Sequence, residues 1–245
     1  MARAKSKPKK SPKRRKKSAV RRRPLAWVGF VLLRTTTVFI VTVMLLVVLY
    51  TVVNPPITHT IWSESRRLGT VDREWVSMEE IAPVMARSVV AAEDANFCLH
   101  WGFDVAAIRA AMQGGGARGG STITQQVVKN VFLWQGRSWI RKALEAMITP
   151  VVEAVWSKRR IIEVYLNIAE MDEGVFGVEA AARQYFDVGP ERLSARQAAL
   201  IASVLPSPKT RSAANPSVSM RKRAGLISDG AATILSDGRA ACFED

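Results

Sequence analysis

The stretch EDANFCLHWG, residues 93–102, decides how this chain is read. Two adjacent carboxylates, Glu93 and Asp94, close a run of helical spacing in which Met85, Val89 and Val90 are the apolar positions. Pro83 suits the first turn of that helix. A carboxylate set against apolar residues has a raised pKa, which suits proton transfer near neutral pH. Taken alone, a Glu-Asp pair is more often a solvated helix end, and His100 a residue that merely packs.

Three further constellations follow downstream. Residues 114–120 are glycine apart from Ala117 and Arg118, and lead into GGSTITQQVVKN, residues 119–130. Ser121 is placed to cap a helix whose apolar positions Ile123, Val127 and Val131 share a face. A helix start after glycines offers free N–H groups and the positive dipole end to a phosphate. Lys129 adds a full charge, and no Gly-Lys-Ser/Thr follows that would make a P-loop. The blander alternative is a flexible loop before a capped helix. Next come Arg137 and Arg141-Lys142-x-x-Glu145, either a surface pair at i, i+4 or a carboxylate held among cations. Last is Lys158-x-x-Ile-Ile-Glu163-x-Tyr165-Leu166-Asn167, whose mixed face reads as a structural buttress.

Between these motifs the spacing predicts helices over 138–155, with a kink or break at Pro150, and over 158–167, capped by Ser157. Two more are expected at 180–186 and 194–205. Alternating β-branched runs are few, so the domain is expected to be mainly α.

Towards the N-terminus the composition changes. Residues 1–34 hold fourteen of the 36 Lys and Arg and no Asp or Glu, leaving 22 basic against 21 acidic residues in the remainder. Most of the net charge of +15 therefore belongs to a tail, 1–24, and the rest is close to neutral. Apart from Arg34, residues 25–53 carry no charge, enough to span a hydrocarbon core of ~30 Å. The run exceeds the core of a cleavable signal, so an uncleaved anchor is expected, with the tail in the cytoplasm and the chain from Asn54 outside. Residues 54–75 read as a linker, 76–227 as the domain and 228–245 as a tail of unknown role. Cys98 and Cys242 lack metal-ligand spacing and read as unpaired, with a disulfide the alternative in an oxidising compartment.

In this order the four motifs, with GVFGVEAAARQYF at 174–186, resemble the peptidoglycan glycosyltransferase family, the transglycosylase domain of bifunctional penicillin-binding proteins and its stand-alone relatives. The resemblance covers about Val71 to Asn215. It implies a mainly α, lysozyme-like two-lobed domain after one transmembrane helix, in the cytoplasmic membrane. It implies polymerisation of lipid II into glycan strands, with inversion and release of polyprenyl diphosphate. Glu93 then matches the base and Glu145 the family's second acid. Lys129, Arg137 and Arg141 match diphosphate-binding cations, with Asp94, Ser121, Thr122 and Gln125 along the same cleft. No organic cofactor is implied; a divalent cation, Mg or Mn, is allowed beside Asp94. The implied partners are lipid II, the growing strand, the membrane and other cell-wall synthesis proteins, with no nucleic acid.

Two rival readings keep some of these features. A hydrolase on a lysozyme-like scaffold would also use a Glu, but has no need of the cations. A membrane-tethered nucleic-acid or scaffold protein would put the function in the basic tail.

Overall fold

The computed structural model describes residues 24–113 and 120–244; the basic tail and most of the glycine-rich loop lie outside them. The chain divides into two units, at Thr42 and Val43. The first unit contributes most of helix α1, Pro24–Leu49. Its 26 residues reach about 39 Å at 1.5 Å per residue, which makes it long and apolar enough to cross a membrane. Trp27, Phe30, Leu32 and Leu33 stand exposed along it, and Arg34 does not interrupt it.

The second unit is mainly helical. It contains α2 (His59–Leu68), β1 (Asp72–Arg73), α3 (Pro83–Glu93), α4 (Val105–Gln113), α5 (Ile123–Phe132), α6 (Trp139–Val155) and α7 (Lys158–Ile168). Then follow β2 (Glu170–Asp172), β3 (Val175–Phe176), α8 (Val178–Phe186), α9 (Ala195–Val204), α10 (Val218–Ser236) and α11 (Ala241–Glu244). The strands form one small sheet in the order β1-β3-β2, with β3 parallel to β1 and antiparallel to β2. The segment expected as a linker thus holds α2 and β1.

The core explains the arrangement. α3 packs against both α9 and α10, and α5 against α6 and α7. Met85, Val89, Ile123, Val127, Val152, Ile161, Ile162 and Ile201 are wholly buried between them. Val43 and Val47, the end of α1, are buried in the same unit, where the Trp156 indole N–H donates to the Val47 carbonyl at 2.7 Å.

Four expectations change. Of the kink or break expected at Pro150, the break does not occur: α6 runs through the proline, with Ile148, Thr149 and Val152 buried there. Packing on α5 outweighs the ~3 kcal/mol a helical proline costs. The cap of α5 is Thr122, one residue after Ser121. Cys98 and Cys242 are joined in a disulfide across 144 residues, not unpaired. The expected C-terminal tail continues α10 to Ser236 and then folds back as α11.

Candidate active site

Glu93 is the last residue of α3 and is half-buried. The Gln126 amide N–H donates to its Oε2 at 2.9 Å. Gln126 is itself oriented by the buried Tyr165, whose hydroxyl donates to Gln126 Oε1 at 3.3 Å. Burial pushes the Glu93 carboxyl above the usual carboxylate range. The Gln126 hydrogen bond and the Arg223 and Lys129 charges oppose that rise, and the Asp94 charge adds to it. Glu93 opens onto a cavity of about 700 Å³, shared with Ser121, Gln126, Pro206, Arg211 and Arg223.

Asp94, one residue on, has a different task. It is buried, with Oδ1 accepting from His100 Nε2 at 2.8 Å and Oδ2 from the Ile123 N–H at 3.0 Å. It therefore ties the loop after α3 to the first turn of α5, where negative charge is favoured. The Thr122 hydroxyl makes a second tie, donating to the Gly102 carbonyl at 2.7 Å. Gly102 has φ +78°, and a Cβ there would lie 2.5 Å from Thr149 Cγ2, so this turn needs glycine. Lys158 closes the loop from behind, donating to the His100 carbonyl and Glu153 Oε1, both at 2.9 Å, as the buttress reading expected.

Thr122 and Gln125 form a buried capping box at the head of α5. Gln126, not Gln125, reaches the cleft. Three residues further along the same helix, Lys129 is drawn by Glu145 and Glu93 and repelled by Arg141 and Lys142. Its burial dominates and lowers its pKa. Glu145 is only 2 % exposed, gripped by Arg141 at 2.8 Å through one oxygen and by Lys142 through the other. Lys142 also reaches Ser121 Oγ at 3.4 Å, so the two halves of the site meet. Arg137 is exposed between α5 and α6 and forms no ion pair within 4.0 Å among the described residues.

Sequence reasoning missed Gln126, Arg211 and Arg223, and gave Lys142 no role. Gln125 was placed in the cleft by the family resemblance, and helix spacing did not separate it from its neighbour Gln126. Lys142 was legible at i−3 from Glu145. Arg223 lies in the run RKR, 221–223, on α10, which nothing in the spacing connects to Glu93.

Asp94, His100 and Asp104 bring possible ligand atoms within 4.8 Å of one another. Mg favours octahedral oxygen ligation, and Mn accepts an imidazole as well. Both Asp94 oxygens are already taken, and Asp104 accepts from the Ala107 N–H at 2.8 Å and the Asn96 amide at 2.9 Å. The carboxylate oxygens already accept N–H bonds, and the ring atom without a partner, His100 Nδ1, is a nitrogen, so the set does not suit a hard, oxygen-seeking cation.

A half-buried carboxylate beside a cationic cluster, in a helical unit following a membrane-length helix, is equipment for proton transfer next to an anionic group. The chain belongs to the transglycosylase family, whose model matches residues 62–231. Among its relatives, a biosynthetic peptidoglycan transglycosylase of Jannaschia sp. (strain CCS1) is 62% identical over 197 residues, 80% of this chain and 82% of the relative. Proteins of the same name from Pseudomonas entomophila (strain L48) and Pseudomonas fluorescens (strain SBW25) are 53% and 45% identical. Those matches cover 64% and 82% of this chain, and 68% and 88% of the relatives.

Proposed function

We propose the following reaction for this peptidoglycan glycosyltransferase, which polymerises glycan strands in cell-wall synthesis. The 4-hydroxyl of lipid II attacks the anomeric carbon of a strand held on polyprenyl diphosphate. The new glycosidic bond forms with inversion as the bond to the diphosphate breaks. Glu93 takes the hydroxyl proton; its raised pKa keeps it basic enough to do so near neutral pH. Charge develops on the departing diphosphate, where Lys129, Arg141 and Lys142 offset it. Glu145 holds Arg141 and Lys142 in place. Arg137 is free to swing towards the same anion.

The observation that carries this reading is that Glu93, bonded to Gln126 on α5, and the Glu145–Arg141–Lys142 ion-pair cluster on α6 both lie close enough to the half-buried Lys129 of α5 to act on its charge. A glycan hydrolase would need the carboxylate and not the cations.

α1 anchors the enzyme beside its lipid-linked substrates, which raises their effective concentration. The helical domain, expected over residues 76–227 and extended by α2, β1, the rest of α10 and α11, lies outside the cytoplasm in this reading. The basic tail favours that orientation, and the Cys98–Cys242 disulfide favours an oxidising compartment. Around α4, the exposed Leu99, Trp101, Val105 and Met112 give an apolar surface suited to the membrane interface. Ile108, between Val105 and Met112 on this helix, is half-buried beside Gly120.

The test is purified full-length chain in detergent or vesicles, supplied with lipid II. Polymer plus polyprenyl diphosphate is the expected product. Cleavage of preformed glycan without any polymer would refute the reaction.

A further inference from the structure

The segment after α10 lies beyond the end of the family match at residue 231, yet it grips the loop that follows Glu93. Cys242 is bonded to Cys98, in the short 3-10 turn Phe97–Leu99. The Arg239 guanidinium donates to the Ala95 carbonyl at 2.8 Å, two residues past Glu93. Phe243 is fully buried, its ring centroid 6.3 Å from that of Phe97. The far end is fixed as well: Glu244 pairs with Arg87 on α3 at 2.7 Å, and Arg159 on α7 donates to the Phe243 carbonyl at 3.2 Å.

These contacts bracket the catalytic loop. Asp94 and Gly102 dock it onto the head of α5 from inside, and α5 carries the Gln126 amide that holds Glu93. Ala95, Phe97 and Cys98 are held from outside by the C-terminal segment. A loop fixed on both sides keeps Glu93 and Gln126 in register.

We propose that residues 238–244 are a positioning clasp, which sets Glu93 for proton transfer through the Cys98–Cys242 bond and the Phe243–Phe97 contact. The inference rests on the polymerisation reading only in assigning Glu93 its proton. Opening the clasp needs a two-electron donor: a dithiol attacks one cystine sulfur, the S–S bond breaks, two thiols form and the dithiol leaves as its own disulfide. Cys242 touches no substrate in this scheme and acts only through the loop.

The experiment compares the oxidised full-length enzyme, the same protein reduced after folding with dithiothreitol, Cys242→Ser and Phe243→Ala. All are assayed below their measured unfolding temperatures. Hydrogen–deuterium exchange follows residues 95–101, and initial rates of lipid II polymerisation give kcat and KM separately. A misplaced base lowers kcat, so about a tenfold fall is expected with KM within about twofold of the oxidised enzyme. Exchange of residues 95–101 is expected to accelerate in all three altered forms. Reduced protein stands in for Cys242→Ser should that variant not fold. Wild-type kcat in the altered forms, accompanied only by a lower Tm, would overturn the clasp, as would unchanged exchange of the loop. Absence of polymer from the oxidised enzyme would defeat the reaction instead, and the exchange measurement would still decide the clasp.

Discussion

Glu93 and Glu145 are treated in opposite ways by their surroundings. Glu93 has one hydrogen-bond donor and an environment that resists its charge, whereas Glu145 sits between two cations. The acidic limb of kcat/KM is therefore expected above the ordinary 4.5, with activity lost as pH falls through the Glu93 pKa. Arg223→Gln removes a charge that favours ionised Glu93, so its limb should move to higher pH; an unmoved limb would separate Arg223 from the base. Stability follows the same shift. With the folded pKa raised, the contribution of Glu93 is full below its unfolded pKa and lost as pH rises through the folded one. At neutral pH the charge costs stability, so Glu93→Gln should melt no earlier than wild type. Glu145→Gln leaves two cations without their carboxylate and should cost about 3 kcal/mol along with most of the activity, read by thermal unfolding and polymerisation rates. Lys129→Ala should lower kcat for transfer to lipid II by about a hundredfold, the loss typical of one preorganised stabilising group.

At the scale of elements, legibility divides along physical lines. α5, α7 and α9 were readable because apolar periodicity and capping residues coincide in them, and α3 and α8 from periodicity, in α3 with a proline in the first turn. The uninterrupted course of α6 was not, since it depends on partners buried around Pro150 and not on the proline itself. The site shows the same division. Glu93, Lys129, Arg141 and Glu145 were singled out by the order of their motifs and the family resemblance it carries, since helix spacing alone left each of them ambiguous. Gln126 and Arg223 come together only by tertiary packing of α3, α5 and α10. The head of α5 is the element on which the site depends. Thr122→Ala loses a capping bond and leaves the Gly102 carbonyl without its donor, so a loss of about 1–2 kcal/mol is expected in chemical denaturation.

For the whole molecule, two cysteines 144 residues apart give no sequence signal of pairing, and only the fold brings their Cα atoms to 5.7 Å. Closing so long a loop stabilises by roughly 5 kcal/mol in the chain-entropy account, so reduction should lower Tm by about 15 °C in a scan. The long apolar helix α1 was legible from composition alone, because its length and lack of charge are written in the sequence itself. Its continuation into the core through Val43 and Val47 was not, since those valines look like any others in the apolar run.

Side-by-side polymerisation of lipid II by wild type and Glu93→Gln tests the assignment of the proton acceptor most directly. The wild type should yield strands and polyprenyl diphosphate, and the variant, with its melting curve intact, about a thousandfold less of both. Strands made by Glu93→Gln at the wild-type rate would show that another group takes the proton.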